Sequence, residues 1–451
     1  MHFNRAARGR LPGLLFVAVV SFHLAVAWVG GPASNWHGQT SEYYALLTDA
    51  FLAGQTNLLV QPPAEMLALP NPYDPVRNGK FRLHDASLYH GKYYLYFGPT
   101  PAIVLFLPYK VLTGSHLPTR IAVALFCAGG FACSCALFFL LAKLERWDIP
   151  TWFASAAVIS LGTAPAVSFL LAHASFYEVA IAAGYCFVMA GFLLTAHSLG
   201  QDRPRVSSLV GAGLCFGLAV GCRPNYALLT ILMVVLVTLR IRSPKMLALP
   251  FVGSVVLCGA LLSVYNYARF QNPFEFGIRY QLFANPTDPA DLVIRLNHNI
   301  RNLLPGIYTL VLSPPSRWLC WFDRSMGLLW GAPTALLGLC TPFVLRYGGV
   351  KGSVKLGSTR FIIYCIYVCA LSILVVLALL GYTVGRYTVD FAPEFVLLSW
   401  CLLAALWQAI HRLAKGRLVP FRLAVVGTAL YSAVVGISMC MLLFHYNDIC
   451  R

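Results

Sequence analysis

The stretch RIAVALFCAGGFACSCALFFLLA, residues 120–142, decides the fold class. It carries a single charge, Arg120, and it has the length that a helix needs to cross the hydrocarbon core of a bilayer. The rest of the chain has the same character, with 59% hydrophobic and 11% charged residues, whereas soluble domains average roughly 25% charged residues. We count twelve such segments, near residues 12–30, 98–112, 120–142, 151–171, 177–199, 207–222, 226–241, 247–266, 326–345, 361–381, 393–410 and 423–444. The sequence therefore predicts an all-α polytopic membrane protein with about 11–12 transmembrane helices.

The net charge of +17 follows the connectors between these segments. Basic residues gather at Arg5/Arg8/Arg10, Arg203/Arg205, Arg240/Arg242/Lys245, Arg346/Lys351/Lys355/Arg360 and Arg412/Lys415/Arg417/Arg422. This is the positive-inside pattern, so we expect a multi-pass protein of the bacterial inner membrane with a cytoplasmic N-terminus. The charge records orientation, and no nucleic-acid partner is expected. Of the sixteen acidic residues only Glu145, Asp148 and Asp202 then lie inside, so the outer face is where chemistry is expected.

The wet stretches between segments divide the chain. We expect residues 1–30 to form a cytoplasmic tail and first transmembrane helix, 31–97 an extracytoplasmic loop, and 98–266 a transmembrane core. Residues 267–325 form a second extracytoplasmic stretch, and 326–451 form C-terminal transmembrane helices. The flanking assignments require an odd number of crossings between 98 and 199. Segment 98–112 is short and rich in proline, so we predict a re-entrant or interfacial helix there and eleven crossings; the short pair 207–222 and 226–241 is the alternative place for the irregularity.

Two sequence features speak against other classes of protein. The fourteen Cys residues lie mostly within apolar segments and form no CxxC pair. The sequence therefore gives little support for a zinc site or a redox function. No internal repeat is visible, which disfavours transporter folds built from inverted repeats.

The first loop opens with SEYYALLTDAFLAGQ, residues 41–55, which predicts a short amphipathic helix that ends at Gly54. Glu42 and Asp49 are seven residues apart and therefore share a face, about 10 Å apart along the axis. The apolar side, with Tyr43 and Leu47, is suited to the bilayer surface. The alternative for the two carboxylates is that both simply face water.

Further along this loop, YHGKYYLYFG predicts a hairpin-like turn around Gly91. Asp74 and Asp85 each lie in a turn-forming context, so a turn-forming role competes with a functional one. Tyr93 and Tyr94 suit either an interfacial anchor or a sugar-binding surface.

Four charged residues beside the later membrane segments are further candidates for a functional role. Glu178 begins a segment that carries no other charge, where a carboxylate usually faces a cavity. Arg223 lies between two short segments. The alternative to a functional role is snorkelling, in which its aliphatic stem lies along the apolar surface and its guanidinium reaches water. Arg386 and Asp390 are four residues apart, the spacing of a local ion pair on a helix. In the second wet stretch, Arg317, Trp318 and Asp323 lie within SPPSRWLCWFD, residues 313–323.

Several of these stretches resemble a known group of proteins. They are YYALLTDAFLAGQ, NPYDP, HDASLYHGKYYLYFGPTPAIVLFLPYKVLTG, GLAVGCRPN, YNYARFQNPFEFG, SPPSRWLCWFD and GRYTVDFAP. Together they resemble the C-type (GT-C) polytopic membrane glycosyltransferases, and in particular a bacterial group related to polyprenyl-phosphate-sugar-dependent mannosyltransferases. Many C-type enzymes carry an adjacent acidic pair early in the first outer loop, whereas this chain has Glu42 alone in TSEYY.

The resemblance implies an inverting transfer of a hexosyl or pentosyl group from a polyprenyl-phosphate donor to a glycan, lipid or protein acceptor at the outer leaflet. The base that it implies is Asp49, with Glu42 and Asp85 as competitors. The substrate-binding residues that we predict are Asp74, Lys92, Tyr93, Tyr94, Glu178, Arg223, Arg317, Trp318, Asp323, Arg386 and Asp390. No metal ligand is predicted, although a divalent metal remains open as a cofactor. The alternative functions are a transporter or flippase of lipid-linked glycans and a non-catalytic membrane assembly protein.

Overall fold

The computed structural model describes most of the chain. The described residues are 10–29, 42–163, 165–201, 203–241, 248–282, 299–314, 326–342, 354–380, 384–413 and 418–444.

The structure within these ranges is almost entirely helical. The first part of the chain contains α1 (Arg10–Val29), α2 (Tyr43–Leu52), α3 (Ala64–Leu67), α4 (Pro75–Asn78), β1 (Ser87–Tyr89), β2 (Lys92–Tyr94) and a π-helical turn (Ala102–Phe106) that continues into α5 (Leu107–Thr113). The middle part contains α6 (Thr119–Leu144), α7 (Thr151–Thr163), α8 (Pro165–Ala172), α9 (Phe176–Leu199), α10 (Val206–Val220), a 3₁₀ turn (Pro224–Tyr226), α11 (Ala227–Arg240) and α12 (Leu249–Phe270). The last part contains 3₁₀ turns at Ile278–Tyr280 and Ile300–Asn302, α13 (Leu303–Ile307), a π-helical turn (Tyr308–Leu312), α14 (Leu328–Gly331), α15 (Ala335–Leu339), α16 (Val354–Ala378), a 3₁₀ turn (Gly385–Asp390), α17 (Ala392–Leu413) and α18 (Leu418–Phe444).

Seven of these helices, among the described residues, are long and apolar enough to cross a membrane: α1, α6, α9, α12, α16, α17 and α18. The predicted class, an all-α polytopic membrane protein, is therefore confirmed. Helix α9 packs against α6 and α10. Glycines allow this close approach, because a Cβ on Gly130 of α6 would lie 2.3 Å from the ring of Tyr185 in α9, and a Cβ on Gly191 of α9 would lie 2.8 Å from the ring of Phe216 in α10.

Segment 98–112 forms a short helix that cannot span a bilayer alone. Its helical residues, 102–113, measure about 18 Å against a hydrocarbon core of about 30 Å. The chain enters it through a turn in which Thr100 N–H donates to Gly221 O (3.1 Å). Gly98 lies so close to the same carbonyl that a Cβ there would be 2.0 Å from Gly221 O. The turn is thereby fixed against the end of α10.

Two of the predicted segments each correspond to two helices. Segment 151–171 contains α7 and α8, whose described residues end at Thr163 and begin again at Pro165. Segment 326–345 is not one helix within its described part, 326–342, where Pro333 lies between α14 and α15. Within the second wet stretch, α12 extends to Phe270, and residues 300–312 are apolar and helical.

The first loop contains the predicted helix and hairpin. Helix α2 ends before Gly54, which has a positive φ of 75°. The prediction that α2 lies on the bilayer surface was wrong, because Tyr43, Tyr44 and Leu47 are buried in the protein core. The hairpin pairs β1 with β2 through the two residues His90 and Gly91, both with positive φ, as the tightest hairpin turns require.

Candidate active site at the start of helix α9

The beginning of α9 is fixed by a capping box. Ser175 is the N-cap, and its Oγ accepts a hydrogen bond from Tyr177 N–H (3.3 Å), while Glu178 Oε2 accepts from Ser175 N–H (3.1 Å) and from the Ser175 hydroxyl. Ser followed three residues later by Glu is the sequence signature of this motif. The cap holds Tyr177 and Glu178 in the first turn of a buried membrane helix.

Arg386 contacts both of these residues from the 3₁₀ turn before α17. Its Nη1 lies 3.5 Å from Glu178 Oε1, and its guanidinium carbon lies 4.4 Å from the centre of the Tyr177 ring. The predicted local ion pair between Arg386 and Asp390 was wrong. Residues 385–390 form a 3₁₀ turn, in which residues three apart share a face and residues four apart do not.

Asp85 approaches Tyr177 from the first loop. Its carboxylate accepts a hydrogen bond from the Tyr177 hydroxyl, and His84 Nε2 lies 3.7 Å from Asp85 Oδ1. The backbone at Asp85 is left-handed, with φ 57°, and its N–H donates to Leu282 O (3.0 Å). Asp85, Tyr177, Glu178 and Arg386 form one group, which we call the Tyr177 cluster.

Helix α2 supports this cluster through Tyr43. The Tyr43 hydroxyl donates to His84 O, and its ring stacks on Phe176 with centroids 4.2 Å apart. Burial raises the pKa of Tyr43, and the Asp85 charge adds to that shift. The pKa of Tyr96 is raised by burial and by Asp85 in the same way. Both phenols therefore stay protonated at neutral pH, so each hydroxyl keeps a proton that it can donate.

A second group surrounds Asp390. Its carboxylate accepts hydrogen bonds from Arg223, from Asn225 Nδ2 (2.9 Å) and from the Tyr226 hydroxyl (2.6 Å). The Asp390 side chain has no exposed surface and that of Arg223 is 9% exposed, so this is a buried ion pair. Arg223 therefore does not snorkel to the surface, and Asp390 pairs with it rather than with Arg386. We call Arg223, Asn225, Tyr226 and Asp390 the Asp390 cluster.

Tyr96 links the two clusters. The charges of Arg386 and Arg223 both act on its hydroxyl, as does that of Asp85. Arg223 also lies over the ring of Tyr387, 4.9 Å from its centre, one residue after Arg386. The structure thus brings together five of the predicted site residues, namely Asp85, Glu178, Arg223, Arg386 and Asp390.

Glu42 is the N-cap of α2 and Asp49 lies within that helix, and both bind partners outside the two clusters. Glu42 Oε2 accepts from Thr119 N–H (3.2 Å) and from the Thr119 hydroxyl (2.6 Å). Asp49 lies 2.9 Å from His116 Nε2 and 3.8 Å from Lys110 Nζ. The two carboxylates therefore tie α2 to the chain around the end of α5. The alternative that both simply face water was wrong.

The other predicted residues of the first loop lie in or near its own small core. Asp74 caps α4 by accepting from Val76 N–H (3.0 Å) and pairs with Arg77. Tyr93 and Tyr94 are buried, and Lys92 is exposed at the hairpin.

The remaining predicted residues, Arg317, Trp318 and Asp323, lie outside the described residues. Across the described ranges, no group of three or more His, Cys, Asp or Glu side chains has the arrangement of a metal site.

Tyr177, Asn225 and Tyr226 are functional candidates that the sequence reasoning missed. Tyr177 stands one residue before Glu178, and Asn225 and Tyr226 follow Arg223 in CRPNY. Polar side chains adjoining a charge at the edge of an apolar segment were the available signal.

Fold and site together define a multi-pass α-helical membrane protein with a charged site where a polar loop meets the ends of its helices. No protein-family model and no curated protein matches the chain, whereas four chains of solved structures do. The crystal structure of ArnT from Cupriavidus metallidurans bound to undecaprenyl phosphate is similar to it, with a TM-score of 0.48 and 15% identity over 96% of this chain and 77% of that one. The apo structure of the same protein has a TM-score of 0.48 and 14% identity, over 95% and 76%. An activity has to be assigned from the residues of this chain.

Proposed function

We propose that this protein is a membrane glycosyltransferase that transfers a sugar from a polyprenyl-phosphate donor to a hydroxyl of a glycan, lipid or protein acceptor. The observation that carries the proposal is the contact of one partly buried tyrosine with a carboxylate and a guanidinium. Tyr177 donates to Asp85 and lies under Arg386. A glycosyl transfer from a phosphate needs this combination, a base for the acceptor and a cation for the leaving group.

Asp85 is the base that we propose. Its side chain is 12% exposed, whereas those of Glu178 and Asp390 are not exposed at all. An acceptor hydroxyl can therefore reach Asp85 but not the other two. The carboxylate takes the hydroxyl proton as the acceptor oxygen attacks the anomeric carbon. The bond from that carbon to the phosphate oxygen breaks, and polyprenyl phosphate leaves with the electron pair, which inverts the anomeric centre.

The two arginines have different roles in this proposal. Arg386 lies against Glu178 at 3.5 Å and over the ring of Tyr177, and we propose that its planar guanidinium binds phosphate oxygens of the donor there. Arg223 is bound by Asp390 and keeps a positive charge near the site without offering a free fork. Lys92 is exposed at the hairpin and would meet the donor from outside. A divalent metal remains an open question that activity with and without a chelator decides.

The membrane geometry suits a lipid-linked donor. The helix at 102–113 presents apolar side chains outward, among them Ile103, Val111 and Leu112. In a bilayer these side chains contact lipid, a fitting surface for the polyprenyl chain beside the site. The positive-inside pattern supports a first loop on the outer face of the inner membrane and an N-terminus in the cytoplasm.

The test is release of polyprenyl phosphate from labelled polyprenyl-phosphate sugars by the purified protein in lipid vesicles. Asp85→Asn is expected to lower the rate about 10²- to 10⁴-fold, the usual contribution of a general base. Asp49→Asn is the matched control, because it makes the same chemical change in the carboxylate that pairs with His116. It is expected to leave the rate within about threefold of wild type, since exposed ion pairs contribute little.

Two outcomes would contradict the proposal. Loss of activity in Asp49→Asn with activity retained in Asp85→Asn would move the base to Asp49. Translocation of intact donor across the vesicle, with no release for any donor sugar, would replace the transferase by a flippase. Arg386→Lys separates the leaving-group role, because it keeps the charge but loses the planar fork and should lower kcat more than it raises KM.

A further inference from the structure

A groove lies beside the first turns of α1, the second half of α6 and the start of α7. It has a volume of about 540 Å³ and lies between α1, α6 and α7. Its lining is apolar and includes Gly13, Phe16, Ala136, Phe139 and Ala154. No residue of the two clusters described above contributes to it.

The groove opens sideways, toward the lipid. Cys135 and Val158 at its base are buried, whereas Gly13 and Ala136 on its walls are exposed. On α6 it extends from residue 132 to residue 139, about 10 Å along the helix, or a third of the hydrocarbon core. It has the length and chemistry of a slot for part of one acyl chain.

The helix ends beside this groove carry basic residues. Arg10 begins α1 two residues before the lining starts, and Lys143 and Arg146 lie at the end of α6; all three are exposed. One acidic residue, Asp148, is also exposed in the connection between α6 and α7. Trp152, in the first turn of α7, lies 5.6 Å from the guanidinium carbon of Arg422. Tryptophan and arginine at a helix end mark the headgroup level of the bilayer.

Glu145 lies in the same turn, but its carboxyl faces the interior. It interacts with Thr359 and is influenced by Arg360, and its pKa is raised by burial. The exposed side of the turn therefore has an excess of positive charge. Basic pockets between transmembrane helices on the cytoplasmic side are typical sites for anionic lipid headgroups.

We propose that the groove binds one anionic phospholipid of the cytoplasmic leaflet, with an acyl chain between α1, α6 and α7 and the phosphate near Arg10 and Arg146. The bound lipid has a structural consequence for α1. Only 22% of the membrane-spanning window of α1 is buried, against 56% for α6. The acyl chain extends the contact of α1 with α6 and α7. This proposal does not depend on the transferase activity, because lipid binding is measured without a sugar donor.

The test is native mass spectrometry of the detergent-solubilised full chain, titrated with dioleoyl phosphatidylglycerol or dioleoyl phosphatidylcholine. Wild type is expected to bind one phosphatidylglycerol roughly 30-fold more tightly than phosphatidylcholine, because each of two arginine contacts contributes about 1 kcal/mol. Ala136→Trp fills the groove and should remove this tight site. Val256→Trp is the matched control, because Val256 is 61% exposed on the apolar surface of α12. Arg10→Gln with Arg146→Gln should reduce the preference to about twofold or less.

Equal binding of the two lipids by wild type would overturn the proposal, as would unchanged binding by Ala136→Trp. Gly13→Leu provides a second way to fill the groove if Ala136→Trp does not fold. A Cβ on Gly13 has no other atom within 4 Å, so the leucine enters open space without a clash. Loss of phosphatidylglycerol binding in Gly13→Leu supports the proposal, and retention refutes it.

Discussion

The substitution Asp390→Ala tests the Asp390 cluster most directly. In the folded protein the Asp390 carboxylate is the acceptor for three side chains, those of Arg223, Asn225 and Tyr226. Alanine removes all three hydrogen bonds and leaves the Arg223 guanidinium buried with its nearest ion-pair partner missing. The ring of Tyr387 stays against the guanidinium but supplies no carboxylate.

The expected loss follows from burial. Breaking a buried ion pair by removing one partner costs about 3–5 kcal/mol, because an uncompensated charge remains in a poorly solvated site. Asp390→Asn should cost nearly as much, because the NH₂ group of the asparagine amide is a donor and would face the donor groups of Arg223. The double variant Arg223→Met/Asp390→Leu should cost less than either single change, because no buried charge remains.

The assay is reversible unfolding in mixed micelles with rising SDS fraction, followed by tryptophan fluorescence. Arg279→Ala is the control, because its pair with Glu275 is formed by a side chain that is 70% exposed, and exposed pairs contribute about 0–1 kcal/mol. If Asp390→Ala lost no more free energy of unfolding than Arg279→Ala, the buried pair would not exist in the membrane protein.

Three further variants test local features by the same unfolding assay. Gly98→Ala should cost more than about 2 kcal/mol, since its Cβ would meet the carbonyl of Gly221 at 2.0 Å. The control is Gly253→Ala, whose Cβ meets no atom within 4 Å and which should change stability by less than about 0.5 kcal/mol. Equal losses of stability in the two variants would refute the contact between Gly98 and Gly221. Ser175→Ala removes the cap of α9 and should cost about 1 kcal/mol; a neutral effect would contradict the capping box. Gly91→Val should cost about 1–2 kcal/mol through its backbone alone, since φ is 71° and its Cβ has open space; no loss would mean a different turn.

Much of the fold could be predicted from the sequence, because apolar length is a local property. Seven predicted segments correspond to long helices, and 98–112, which we predicted to be too short and too rich in proline, forms a short one. The hairpin at His90 and Gly91 was equally local, since turn chemistry depends on adjacent residues. The segment 326–345 failed because the window average ignores Pro333 and its neighbouring glycines, which end helices whatever the hydropathy.

The site was less predictable, because its contacts join residues far apart in the chain. Sequence selected Asp85, Glu178, Arg223, Arg386 and Asp390 by type and position, yet assigned Arg386 to Asp390 on spacing alone. The structure pairs Arg386 with Glu178 and Arg223 with Asp390 instead.

The sequence by itself determined that this is a multi-pass α-helical membrane protein, where its helices lie and which of its few charges border them. A bilayer imposes these properties on each segment separately, through length, apolar content and the cost of a charge. Only the tertiary structure decided which charges meet. Asp85 reaches Tyr177 because Tyr43 and Leu282 fix its loop, and Arg386 reaches Glu178 because a 3₁₀ turn rotates it away from Asp390. Such pairings depend on how separate segments pack, which no local pattern encodes.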